Sequence, residues 1–198
     1  GKWAITTVAY TQLELLPTGA GTIRRLDRAG IQQYRHMIHW FPDGKQILFS
    51  GNEAGHAVRC YVQSIDGGKP RPVTPEGVSM CQVSPDGKLI AGYDSTGMKL
   101  YPLDGGAPRS ITGLQPEEFF DWTSDPRFGY VYERKTAPVK IYRLNLQTGQ
   151  RQLFKEIDPA DETGLYDMSH LLMSADGRAY VYGYTRLLSE LYLVSGVK

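Results

Sequence analysis

The sequence predicts an all-β protein, a β-propeller of four-stranded antiparallel blades forming an incomplete arc of about five blades or a fragment of a larger propeller. Three observations carry this. Apolar residues fall in short alternating runs, and helical spacing does not persist beyond two turns. Phe41-Pro42-Asp43-Gly44-Lys45 recurs as Ser84-Pro85-Asp86-Gly87-Lys88 and Ser174-Ala175-Asp176-Gly177-Arg178, with a degenerate copy at Thr123-Ser124-Asp125-Pro126-Arg127. A second marker keeps step with it: Tyr61 precedes Asp66-Gly67-Gly68, Tyr101 precedes Asp104-Gly105-Gly106, and Tyr142 precedes Thr148-Gly149.

The spacing sets the size of the unit. Successive turn aspartates lie 43, 39 and 51 residues apart, and the tyrosines, Tyr192 included, lie 40, 41 and 50 apart. A period near 40 residues carried by strands is one propeller blade. Both markers lengthen together at the end. The extra residues are therefore an insertion between Tyr142 and Asp176, with 158–166 as the expected loop.

Within each unit the turn chemistry places the strands, named a to d in order. Asp-Gly suits a two-residue hairpin, where positive φ is required. Strand a therefore ends at Trp40, strand b runs from Gln46 to Ser50, strand c from Val58 to Ser64 and strand d from Arg71 to Thr74. Aligning the copies on their aspartates puts Trp40, Val83, Trp122 and Met173 in one column and Ile38, Cys81, Phe120 and Leu171 in another. Met37, Met80, Phe119 and His170 form the alternate face, so both faces of strand a are expected to be covered. Gly1 to Ile5 matches Gly87 to Ala91, so residues 1–29 supply strands b, c and d of a partial blade. Blades over about 30–75, 76–113 and 114–157 follow, then a partial blade over 158–198 ending in a strand c at Leu191 to Val194. All five belong to one domain, 1–198. An open arc of this kind would expose blade faces and unpaired edges, which favours self-association.

Composition narrows the partners. Among 198 residues, 22 Lys and Arg oppose 21 Asp and Glu. That balance gives no electrostatic footprint for nucleic acid, and no apolar run is long enough for membrane insertion. Cys60 and Cys81 read as two reduced core thiols behaving as small hydrophobes. A bridge between them is the alternative, and the sequence does not choose the compartment.

The linked Pro-Asp-Gly-Lys and Tyr…Asp-Gly-Gly turns resemble those of the TolB-type, WD-repeat-like bacterial propellers. The C-terminal stretch from Tyr180 to Lys198 also resembles the end of propellers attached to bacterial serine/threonine protein kinases. This resemblance implies a sensing or scaffolding module in a bacterial signalling protein. The cell envelope or periplasmic side is the favoured setting, with the cytoplasm as the alternative.

Motifs of catalysis are missing. There is no Gly-rich phosphate loop, His-Arg-Asp or Asp-Phe-Gly, no His-Glu-x-x-His, and Gly77-Val78-Ser79-Met80-Cys81 lacks the second glycine of a hydrolase elbow. His36 and His39 point to opposite faces of a strand, so no metal site is expected, and no cofactor. Recognition is expected on the rim formed by the b–c loops and the d–a connections, because long loops on a rigid scaffold carry function. The candidate binding residues there are Glu53, His56, Glu117, Glu118, Arg134, Asp161, Glu162 and Tyr166, with a protein or peptide as partner. The competing reading is an accessory propeller of a hydrolase or peptidase whose active site lies outside these residues.

Overall fold

The computed structural model describes residues 1–114, 118–133, 138–158, 161, 163–174 and 176–192, apart from the side chains of His36, Tyr166, Ser169 and His170. Its described elements are all strands, grouped in two compact units, Gly1–Ile111 and Thr112–Lys198.

The first unit holds three sheets. β1 (Trp3–Val8), β2 (Gln12–Pro17) and β3 (Arg24–Arg25) form a three-stranded meander. β4 (Ile31–Trp40), β5 (Gln46–Glu53), β6 (Arg59–Ser64) and β7 (Arg71–Pro72) form the second blade. β8 (Ser79–Val83), β9 (Leu89–Asp94), β10 (Gly97–Pro102) and β11 (Arg109–Ser110) form the third. In the second unit, β12 (Glu118–Trp122), β13 (Phe128–Tyr132), β14 (Val139–Asn145) and β15 (Arg151–Ile157) form the fourth sheet, and β16 (Leu165–Met173) pairs with β17 (Tyr180–Arg186). All pairings are antiparallel between sequence neighbours. This is the all-β, blade-built propeller that the repeat predicts.

Each sheet hides an apolar face against a neighbour in its unit. Leu13 and Leu15 of the first sheet share a buried cluster with Ile47, Phe49 and Tyr61 of the second. Leu48, Cys60 and Val62 then meet Cys81, Ile90 and Tyr101 of the third. In the second unit, Tyr130, Tyr132 and Ile141 pack with Met168, Leu171 and Met173. A sheet this small cannot cover itself, and face-to-face burial supplies the missing apolar contact.

The turn mechanism differs from the expectation. Phe41 and Gln46 are the last paired residues, so the loop has four residues, and Gly44 N donates to Phe41 O at 2.9 Å. Positive φ is confined to the glycine, 66° at Gly44, 70° at Gly87 and 71° at Gly177, and does not extend to the aspartate. Pro at the second and Gly at the fourth position are the preferences of a type I turn. The aspartate has another task. Asp43, Asp86, Asp125 and Asp176 each accept the backbone N–H two residues on, at 2.8–3.1 Å. The degenerate copy keeps this bond, which explains how it serves without the glycine.

Three other expectations are corrected. Every a–b pairing slips register, at Tyr34/Ile38, Ser79/Gln82, Phe119/Asp121 and Ser169/Leu172. Such bulges re-aim side chains, and Met80 (φ 52°) turns outward with 55% of its surface exposed. The alternate face of strand a is therefore not covered throughout, and His170 lies outside the described side chains. Part of the insertion lies in strand d: β15 has seven residues where β7 and β11 have two, and β16 already begins at Leu165. Of the expected last strand c, Leu191 and Tyr192 are irregular and exposed, while Val194 lies outside the described residues.

Cys60 and Cys81 are joined in a disulfide, their Cα atoms 6.3 Å apart. The reading of two reduced thiols is overturned. β6 of one blade and β8 of the next present the two sulfurs to the same buried seam, which a one-dimensional spacing of 21 residues does not reveal.

Candidate interaction rim

In the first unit the rim is built by the b–c loop of the second blade. β5 ends at Glu53 and β6 begins at Arg59. Arg59 Nη2 donates to Glu53 Oε2 at 2.7 Å, its Nε donates to Tyr61 Oη at 2.9 Å, and its guanidinium lies 5.4 Å from the Tyr61 ring centre. Arg59 and Tyr61 are two apart on one strand and share a face. The bond to Tyr61 strengthens the hold of Arg59 on its proton, and burial raises the Tyr61 hydroxyl.

His56 connects this loop to the d–a connection. Its backbone N–H donates to Glu53 O, and its Nδ1 lies 2.7 Å from Glu76 Oε1. Ala57 N donates to Glu76 Oε2 at 3.2 Å, and Gly77 N donates to Val58 O. The Glu76 carboxyl is held below its ordinary range by His56 first, then by the Ala57 N–H. Glu53, His56, Arg59 and Glu76 thus form one hydrogen-bonded ridge, with Arg59 anchored on the buried Tyr61.

The third blade repeats the pattern with shorter side chains. Lys99 Nζ and Tyr101 Oη both donate to Asp94 Oδ2, while Thr96 donates to Oδ1 from its backbone N–H and its hydroxyl. Lys99, then Thr96, hold Asp94 far below the usual carboxylate range. Tyr101 is pushed up to about 12, by burial first and then by the Asp94 charge. In the fourth sheet Lys140 stands at the equivalent place but lies 3.9 Å from Glu156 of the neighbouring strand d.

The remaining predicted residues divide. Asp161 accepts the Thr163 N–H and a 2.7 Å bond from Arg186 Nη1, fixing the acidic loop to the end of β17. Glu118 sits within β12, opposite Tyr132, and not in a loop. Glu117, Arg134 and Glu162 lie outside the described residues, as does the Tyr166 side chain. Sequence reasoning missed Arg59, Tyr61 and Glu76. The acid, the cation and the tyrosine recurring as Glu53, Arg59, Tyr61 and Asp94, Lys99, Tyr101 was the available signal for the first two; Glu76 had none.

Other polar groups are sheltered. Asp121 accepts the Trp122 N–H, and burial pushes its carboxyl up to about 6. His39 Nε2 is buried without a partner among the described residues, and burial lowers its pKa. At the opposite, turn end of the strands, Phe41, Asp43, Val62, Arg71, Asp86 and Leu103 line a cleft of about 390 Å³. Among the described residues no three His, Cys, Asp or Glu side chains gather as a metal site would need.

Two TolB structures are among the solved structures similar to this chain. A protein assigned as TolB from Agrobacterium tumefaciens superposes with a TM-score of 0.66 and 18% identity, covering 92% of this chain and 76% of that one. TolB from Acinetobacter baumannii gives 0.59 and 20%, covering 86% of this chain and 42% of that one. The fold is a β-propeller. At these identities the likeness concerns fold alone. A 53-residue segment is 42% identical to the uncharacterized peptidase YuxL of Bacillus subtilis (strain 168), spanning 26% of this chain and 8% of that protein. No family model matches.

Proposed function

We propose that this propeller is a non-enzymatic protein-interaction or sensing module, part of a bacterial signalling protein such as a serine/threonine kinase, that binds a protein or peptide on the b–c and d–a rim. The His56–Glu76 bond carries the reading. It ties the b–c loop of the second blade to the following d–a connection in an ordered, exposed surface of mixed charge. A surface already ordered before binding loses less entropy on capture of a partner, and mixed polar groups suit the rim of a protein interface. The Cys60–Cys81 bridge supports an oxidising, envelope-side setting. Exposed Leu172, Val181 and Tyr184 on the last sheet support self-association, which sedimentation would register as a mass above the monomer and a strictly monomeric mass would refute.

The test is capture of partners from the source cell's envelope fraction by the intact chain and by Glu53→Lys, His56→Ala and Glu76→Lys together. Loss of the captured protein, with the thermal transition unchanged, is the expected result. Retention by the triple variant would overturn the site.

The YuxL segment favours a second reading, an accessory propeller beside a peptidase domain. A serine-hydrolase activity probe applied to the full-length parent separates the two: labelling outside these residues supports the peptidase, and no labelling supports the interaction module.

A further inference from the structure

The turn end of the fourth sheet holds a cleft unlike the rim described above. Phe128 at the start of β13, Arg143 and Asn145 on β14, and Gln150, Arg151 and Gln152 about the start of β15 enclose about 350 Å³. The register explains the grouping: Phe128 pairs with Asn145, and Arg143 lies between Tyr130 and Gln152, so Phe128, Arg143 and Gln152 share one face.

Arg143 is the unusual member. Its guanidinium lies 3.9 Å from the centre of the Phe128 ring. A guanidinium held over a ring face keeps its planar fork of N–H donors available to another partner. Arg143 is half-buried and, among the described residues, makes no hydrogen bond or ion pair. A sheltered charge with no hydrogen bond or ion pair is costly, and only the Phe128 ring and the more distant charge of Asp125 offset it.

No carboxylate lines the cleft. The nearby Asp125 is occupied by Arg127, which donates to both of its oxygens at 2.6–3.1 Å, and this pairing lowers the Asp125 carboxyl to about 2. Asn145 Oδ1 already accepts from the N–H groups of Gln147 and Thr148, so Asn145 has its amide N–H groups to present. Arg151 adds positive charge beside Tyr142, 5.7 Å from its ring centre.

We propose that this cleft binds an oxyanion, a carboxylate or a phosphate group, with Arg143 as its bidentate anchor. The planar fork matches two oxygens of either group. The inference is independent of the rim: it uses the opposite ends of the strands and stands if the rim variants fail.

The experiment follows the arginine Nε–Hε signals of the intact chain by NMR during titration with inorganic phosphate and, separately, glutarate, with sodium chloride matching ionic strength. A saturable shift of the Arg143 signal is expected. Saturation by phosphate alone identifies a phosphate site, by glutarate alone a carboxylate site, and by both a general oxyanion site. Arg143→Gln should weaken binding roughly tenfold or more and Arg143→Lys, which keeps the charge but not the fork, by several-fold. Lys69→Gln, an exposed charge in the other unit, should leave it unchanged. Only non-saturating shifts that chloride reproduces, or equal affinity in a folded Arg143→Gln chain, would overturn the site.

Discussion

The seam between the second and third blades and the seam between the fourth and fifth sheets use the same repeat positions with different chemistry. Cys60 precedes Tyr61 as Ile141 precedes Tyr142, and Cys81 stands five residues before Asp86 as Leu171 does before Asp176. One seam is closed by a disulfide, while the other buries Ile141 completely in a cluster with Leu171. One residue further on, Val62 corresponds to Arg143, and three past the turn aspartate Gln46 corresponds to Phe128. The first cleft accordingly has Asp43, Asp86 and Arg71 among its walls, and the second has two arginines and no acid. A repeated scaffold holds the backbone constant, so the side chains at equivalent positions set whether a seam is covalent or apolar and whether a cleft is mixed or cationic.

The largest expected effects test the seams. Replacing Cys60 and Cys81 together by Ala should lower the unfolding free energy by about 3 kcal/mol on the loop-entropy account. Ile141→Ala should cost about 2–5 kcal/mol through lost burial and a cavity. Urea unfolding with and without reductant measures both. Insensitivity of the native chain to reductant would remove the disulfide from the comparison, and a negligible cost at Ile141 would remove its counterpart.

A smaller effect concerns Asp121, in the second unit. Burial raises its carboxyl to about 6, above the unfolded value of about 4, so the folded chain binds this proton more tightly than the unfolded chain. Its contribution to stability is full at low pH, declines as pH rises through about 6, and is level above. Asp121→Asn should be more stable than the native chain above that range, by on the order of 2 kcal/mol, and equal to it below pH of about 4. Denaturation across pH checks this, and parallel curves for the two chains would refute it.

The smallest effect sharpens the contrast between the clefts. Asp125→Asn releases Arg127 from its carboxylate, and phosphate affinity in the fourth sheet should rise a few-fold. Calorimetric titration measures it, and weaker binding would show that Asp125 positions the cleft instead.

Turn positions, and with them the strands, were legible because an Asp bonding the N–H two residues on is local chemistry, written in four consecutive residues. Glu53 and His56 were legible as rim residues for the same reason, since strand order places their loop. Their partners were less so. Glu76 meets His56 only because the d–a connection folds back onto the b–c loop, and the outward turn of Met80 depends on a bulge that no glycine or proline marks.

The sequence alone determined the repeat, the all-β class and the order of strands, because hairpin turns and strand alternation act over a few residues. Tertiary structure decided that Cys60 finds Cys81, that His56 meets Glu76, and that Arg143 stacks on Phe128 without a carboxylate. Those outcomes depend on which faces are pressed together and how far water is excluded from them, and neither is encoded in the spacing of residues along one strand.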